Sequence, residues 1–194
     1  MKIVYRVVLS FALAAAGNAQ VHAQAAEPMQ KELDDIARVG SVMVDGDVCQ
    51  RVVTPRALQY MFATDPRDPW IAGDNYDVDD ASFNAVKKTL TRLSHLATFP
   101  VDVNLWMPIE GHPDKIHIVV RNKNEMSQFW TWGALYQDMF PPMETVLKTG
   151  KRLTVTSKPG WISVLAPIYN SLGDIVGLIE AVSRVQTDAH ENVK

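Results

Sequence analysis

The stretch Gly160-Trp-Ile-Ser-Val-Leu-Ala-Pro-Ile-Tyr169, then Asn170-Ser-Leu-Gly-Asp174, then Ile175-Val-Gly-Leu-Ile-Glu-Ala-Val-Ser-Arg184 decides the fold. Two apolar, β-branched runs flank a segment of turn-forming residues, which reads as an antiparallel hairpin. In the first run Ile162, Val164, Ala166 and Ile168 fall on one face, and Trp161, Ser163, Leu165 and Pro167 on the other. Both faces expect cover, so these strands belong in the middle of a sheet with a layer on either side.

Outward from the hairpin, Arg152 to Thr156 reads as a short neighbouring strand with Leu153 and Val155 on one face. Pro141 and Pro142 open a helix carrying Met143, Val146 and Leu147, and Gly150 stops it. Before that helix, Asn122 to Tyr136 concentrates Trp130, Trp132 and Tyr136 among amides and hydroxyls. Val101 to Pro108 alternates as a half-buried strand, with Val101, Val103, Leu105 and Met107 on its apolar face. Glu110 to Asp114 is its hairpin loop, and Lys115 to Arg121 returns with Ile116, Ile118 and Val120 inward.

The N-terminal part is helical. Met29, Leu33, Ile36 and Val39 form a stripe that expects to pack on the sheet or on a partner chain. Thr54-Pro55 starts a short helix that runs to about Ala63. Thr64 to Asp80 is an acidic loop whose last aspartates cap a helix over Ala81 to Leu96, with Phe83, Val86, Leu90, Leu93 and Leu96 on one face. Asp74, Asp77, Asp79 and Asp80 do not have the spacing of a calcium loop, because Tyr76 and Val78 stand at the alternate ligand positions.

With 194 residues, 47% apolar and 21% charged, the chain has the length and apolar content of one domain with a substantial core. Lys2, Arg6, the apolar run Val7 to Ala16 and the small-residue patterns Val21-His22-Ala23 and Ala23-Gln24-Ala25 read as an export signal. Its removal takes two basic residues and no acid, leaving 17 basic against 22 acidic, net −5. That balance disfavours nucleic acid as a partner. No later segment is long and apolar enough to span a bilayer, so no membrane association is expected after cleavage, and the product is placed in the periplasm or outside the cell. Cys49 is the single cysteine, which excludes an intramolecular disulfide and reads as a small buried hydrophobe.

Enzymatic motifs are missing: there is no Gly-x-Ser-x-Gly, phosphate loop or metalloprotease helix. His95, His112, His117 and His190 show no ligand spacing, and His117 on its strand reads as a satisfied structural residue. No catalytic residue, metal or cofactor is expected.

Val146-Leu-Lys-Thr-Gly-Lys-Arg-Leu-Thr-Val155, followed by Ile162 to Tyr169 and Gly173-Asp-Ile-Val-Gly-Leu-Ile179, resembles the C-terminal half of an extracytoplasmic Cache domain, the PAS-like sensor module. The resemblance covers about residues 101 to 185. It implies an α+β fold: a PAS-like five-stranded antiparallel sheet with N-terminal helices, a helical crossover and a small-ligand pocket on one face. The expected organisation is a signal peptide over 1–23, a helical region with its acidic loop over 24–100, the Cache/PAS-like sheet region over 101–186, and a polar tail over 187–194. Receptors that carry such modules have flanking membrane helices and an output domain; neither is read in this sequence, so sensing is expected to be passed to another protein or lost.

A pocket for a small organic ligand needs aromatic walls and a few convergent polar groups. The candidates are Arg121, Asn122 and Asn124 after the second strand, Trp130, Trp132 and Tyr136 in the crossover, and Trp161, Ser163 and Tyr169 on the hairpin. Arg121 is suited to clamping a carboxylate while rings enclose its body. Two functions stay open: an exported sensory or binding domain for a small organic ligand, and a non-catalytic scaffold that uses the same fold to form a homodimer or to bind a periplasmic protein.

Overall fold

The computed structural model describes residues 26–123 and 126–185. The expected signal peptide, the polar tail and Asn124 lie outside them. The architecture is α+β. Six strands form one antiparallel sheet: β1 (Asp102–Ile109), β2 (His112–Arg121), β3 (Gln137–Asp138), β4 (Leu153–Val155), β5 (Trp161–Tyr169) and β6 (Ile175–Arg184). Their spatial order is β3-β2-β1-β6-β5-β4, so the hairpin strands β5 and β6 are interior. The sixth strand beyond the five expected is β3, only two residues long, which pairs with Lys115 and Ile116.

Helices form one layer. Residues 26–43 are helical (α1), followed by α2 (Gly46–Cys49), α3 (Pro55–Tyr60), α4 (Ile71–Asp74) and α5 (Asp80–Ser94). Leu33, Ile36 and Ala37 of α1 and Val86, Leu90 and Leu93 of α5 join Val103, Leu105, Val164, Ala166, Ile168 and Ile179 in one core. The α1 stripe therefore packs on the sheet of its own chain. Each fully buried aliphatic side chain there contributes about 1.5–3 kcal/mol of transfer free energy.

Local chemistry sets the helix ends. Thr54 Oγ accepts from Ala57 N at 3.2 Å, and Pro55 occupies the first helical turn. Asp79 accepts from Ser82 N at 2.7 Å and caps α5 as expected. The helix stops at Ser94, and Leu96, placed on its apolar face by periodicity, lies past that end and is 59% exposed.

The opposite face of the sheet is covered by the crossover between β2 and β4, which includes α6 (Pro141–Thr149). Its Met143 and Val146, with Phe129, pack on Trp106, Ile116, Leu165 and Leu178. Gly150 ends α6 at φ 67°, a left-handed conformation that costs glycine little.

Two sequence expectations are corrected here. β1 is not half-buried: Asp102, Asn104 and Trp106 are as inaccessible as Val103 and Leu105, because the crossover covers the second face. On β2 the inward set is not Ile116, Ile118 and Val120. Leu105 pairs with Val120 but Trp106 pairs with Ile118, so Val119 is an extra, bulged residue. Val119 and Val120 both turn to the helix layer, and Arg121, opposite Asn104, comes to the crossover face.

Candidate functional site

The bulge aims the end of β2 at the crossover. Arg121 stacks on Trp130, with its guanidinium carbon 3.9 Å from the ring centroid. An open cleft of about 500 Å³ runs beside this stack, lined by Arg121, Asn122, Lys123, Trp130, Trp132 and, from α5 and the loop before it, Phe83, Lys87 and Tyr76. Phe83 and Lys87 are four residues apart on one helix face, and the Lys87 ammonium lies 5.5 Å from the Phe83 ring centroid. Burial pushes the Tyr76 phenol up to about 12, so it stays a neutral hydroxyl.

Asn122 supplies the sharpest polar feature. Its Oδ1 accepts from Val103 N at 3.0 Å, which fixes the amide against β1. Its Nδ2 is buried and has no hydrogen-bond partner. A buried donor left unmatched costs about 1–3 kcal/mol. Three cations and Asn122 line this cleft, and none of its described lining residues is acidic. The arrangement suits an anion with a flat or apolar body.

Glu180, on central strand β6, organises the neighbouring region and was not among the sequence candidates. Its side chain is 0% exposed. Oε2 accepts from Ser127 Oγ at 2.6 Å, Trp106 Nε1 at 3.1 Å and Asn104 Nδ2 at 3.3 Å. Oε1 accepts from Ser163 Oγ at 2.8 Å and from Gln128 N at 3.1 Å. Burial raises its carboxyl above the ordinary range, opposed by the bonds from Ser127, Ser163, Gln128 and Trp106. Ser127 Oγ also accepts from Phe129 N and Trp130 N, and Gln128 Nε2 donates to Val155 O and Ser163 Oγ. Glu180 thereby fastens the start of the crossover to the sheet, and Trp130 with it. The signal in the sequence was a lone carboxylate at an inward position of an apolar strand, which folding tolerates only with partners.

Of the sequence candidates, Arg121, Asn122, Trp130 and Trp132 come together in the cleft. The others do not. Tyr136 tilts against Phe62 at 4.3 Å between centroids, and Phe62 in turn stacks on His112 at 3.9 Å. Trp161 is flanked by the cations of Lys158 and Arg184 at 4.4 and 4.3 Å from its ring centroid. Ser163 is consumed by the Glu180 cluster, and Tyr169 donates to Gly150 O at 3.4 Å. The expected space above β5 is filled by the crossover, because Gln128 and Phe129 occupy it. Cys49 is buried as expected, with its thiol pushed up to about 12, whereas His117 is buried but not satisfied.

No family model matches the chain, and no curated protein matches it. Among solved structures it is similar to the "A. Aeolicus nlh2 gaf domain in an inactive state", at 12% sequence identity and a TM-score of 0.37. That similarity covers 78% of this chain and 83% of the other, and it carries nothing about ligand, partner or compartment.

Proposed function

We propose that this chain is an exported, non-catalytic sensory or binding domain of the Cache kind, that it takes a small organic anion in the cleft beside Arg121, and that it signals through another protein. The observation that carries this reading is the unmatched Asn122 Nδ2, on a residue that lines a cleft together with Arg121, Lys87, Lys123, Trp130 and Trp132. A carboxylate there accepts from Asn122 and from a guanidinium already oriented by Trp130.

The test is a thermal-shift screen of small carboxylates and amino acids on wild type and Asn122→Asp. The variant keeps an oxygen for Val103 N and replaces the donor by an anionic oxygen. At least one carboxylate stabilises the wild type, and Asn122→Asp weakens its binding by about tenfold or more. A panel that never shifts the wild type, or equal binding by the variant, defeats the reading.

The filled interior above β5 favours a second reading, an interaction domain without a small ligand. Trp132, 82% exposed at the mouth of the cleft, is its anchor for a second copy or a protein partner. Sedimentation of the protein at micromolar concentration, alone and with periplasmic extract, tests it. A monomer that recruits nothing removes it.

A further inference from the structure

A second cleft, of about 480 Å³, opens on the helix side of the sheet at the β1–β2 turn. It shares no lining residue with the first. Val53, Leu58, Met107, Ile109, Ile175 and Val176 supply apolar wall, and His117 is part of that wall. His117 is 3% exposed, pairs across the ladder with Met107, and has no hydrogen-bond partner at Nδ1. An imidazole so placed has an unmatched ring nitrogen among apolar side chains. Burial holds it well below the ordinary histidine range, at about 4, so it is neutral at physiological pH.

The remaining polar lining narrows the ligand. No described lining residue is Lys or Arg, and Glu110 stands exposed at the rim, so an anion finds no counter-charge and meets a like one. A cation loses its hydration against aliphatic walls. Among the described residues no three His, Cys, Asp or Glu side chains gather where they could hold a metal ion. A neutral imidazole offers a donor nitrogen and an acceptor nitrogen, and a hydroxyl can serve either.

We propose that this second cleft binds a small uncharged, largely apolar molecule bearing one hydroxyl, an alcohol or a phenol, with His117 as its polar anchor. The site is independent of the anion cleft. Its volume falls in the range of small-molecule sites, and its walls supply the apolar burial that such ligands use for affinity.

Calorimetry and ligand-observed NMR with 4-ethylphenol, ethylbenzene and 4-ethylbenzoate test it on wild type, His117→Leu and Asn122→Asp. Wild type binds 4-ethylphenol about tenfold or more tighter than ethylbenzene. His117→Leu brings that ratio to about one, leaving the apolar contribution, whereas Asn122→Asp leaves it unchanged. Val176→Trp, which fills the cleft and leaves His117 in the sequence, abolishes binding of both neutral probes. Equal binding of phenol and hydrocarbon by wild type, no binding of either, or a preference that survives in His117→Leu overturns the proposal. So does a phenol signal lost in Asn122→Asp alone, which assigns it to the anion cleft. Binding of 4-ethylbenzoate that Asn122→Asp removes and His117→Leu does not supports the separation of the two sites.

Discussion

On one face of the sheet Glu180 collects donors from β1, β5 and the crossover, so the layer above it is held by directed bonds. On the other face Leu33, Ile36 and Ala37 of α1 lie on Val164 and Ile179 by apolar contact, and the imidazole of His117 has an unmatched nitrogen. The difference separates two tasks. Apolar burial is non-directional and supplies stability, whereas a buried carboxylate with several donors accepts one geometry and so positions the segment that carries Trp130. The anion cleft stands at the edge of the positioned layer, and the neutral cleft opens in the packed one.

The largest effect that sharpens this contrast is expected from Glu180→Leu. It leaves the donors of Trp106, Ser127, Ser163 and Gln128 buried without an acceptor and costs about 3–5 kcal/mol in urea unfolding. Hydrogen exchange at Gln128, Phe129 and Trp130 rises before that of α1. Uniform exchange changes, or a loss under about 1 kcal/mol, break the positioning argument.

The two faces also answer pH with opposite signs. His117 is lowered from 6.5 to about 4 on folding, so its stabilisation is complete above 6.5 and is lost as pH falls through 4. The full span is worth roughly 3 kcal/mol, and His117→Leu removes that acid-side slope from a plot of stability against pH. Glu180 is raised above 4.5, so its contribution is present below 4.5 and is lost as pH rises through the folded value. Glu180→Gln lacks that pH dependence. A wild-type curve with no acid-side slope contradicts the buried, neutral imidazole.

Smaller effects follow from the packed face and the sheet edge. Ile36→Val costs about 1 kcal/mol without changing exchange in the crossover. Arg152 makes a two-pronged bond to Asp34 of α1 at 3.0 and 3.2 Å. Both side chains are substantially exposed, so Arg152→Ala costs only about 0.3 kcal/mol, and less in high salt. A loss above about 1 kcal/mol shows that this tie, and not burial alone, docks α1.

Much of the scaffold was legible because its signals are local: the alternation of β5, the Thr54 and Asp79 caps, the prolines opening α6 and the glycine closing it. The bulge at Val119 and the pairing of β3 were not, since register is decided between strands rather than within one. In the cleft, Arg121, Asn122, Trp130 and Trp132 could be chosen by residue type and proximity in sequence. Phe83, Lys87 and Tyr76 could not, because only the docking of α5 beside β2 brings them there. Trp161 and Tyr169 lie apart from this cleft, because membership of a strand does not say which end of the sheet a side chain reaches.

A strand is read in steps of two, and Val119 acts on β2 as a frameshift of one. Upstream of it the frame sends Ile116 to the crossover and His117 to the helices; downstream, the altered frame sends Arg121 to the crossover. One strand thus serves both clefts, with Val119 taken up as an extra residue on the helix side. Deleting Val119 would remove the bulge, leave Arg121 opposite Asn104 on the crossover face, and change no residue that lines the second cleft.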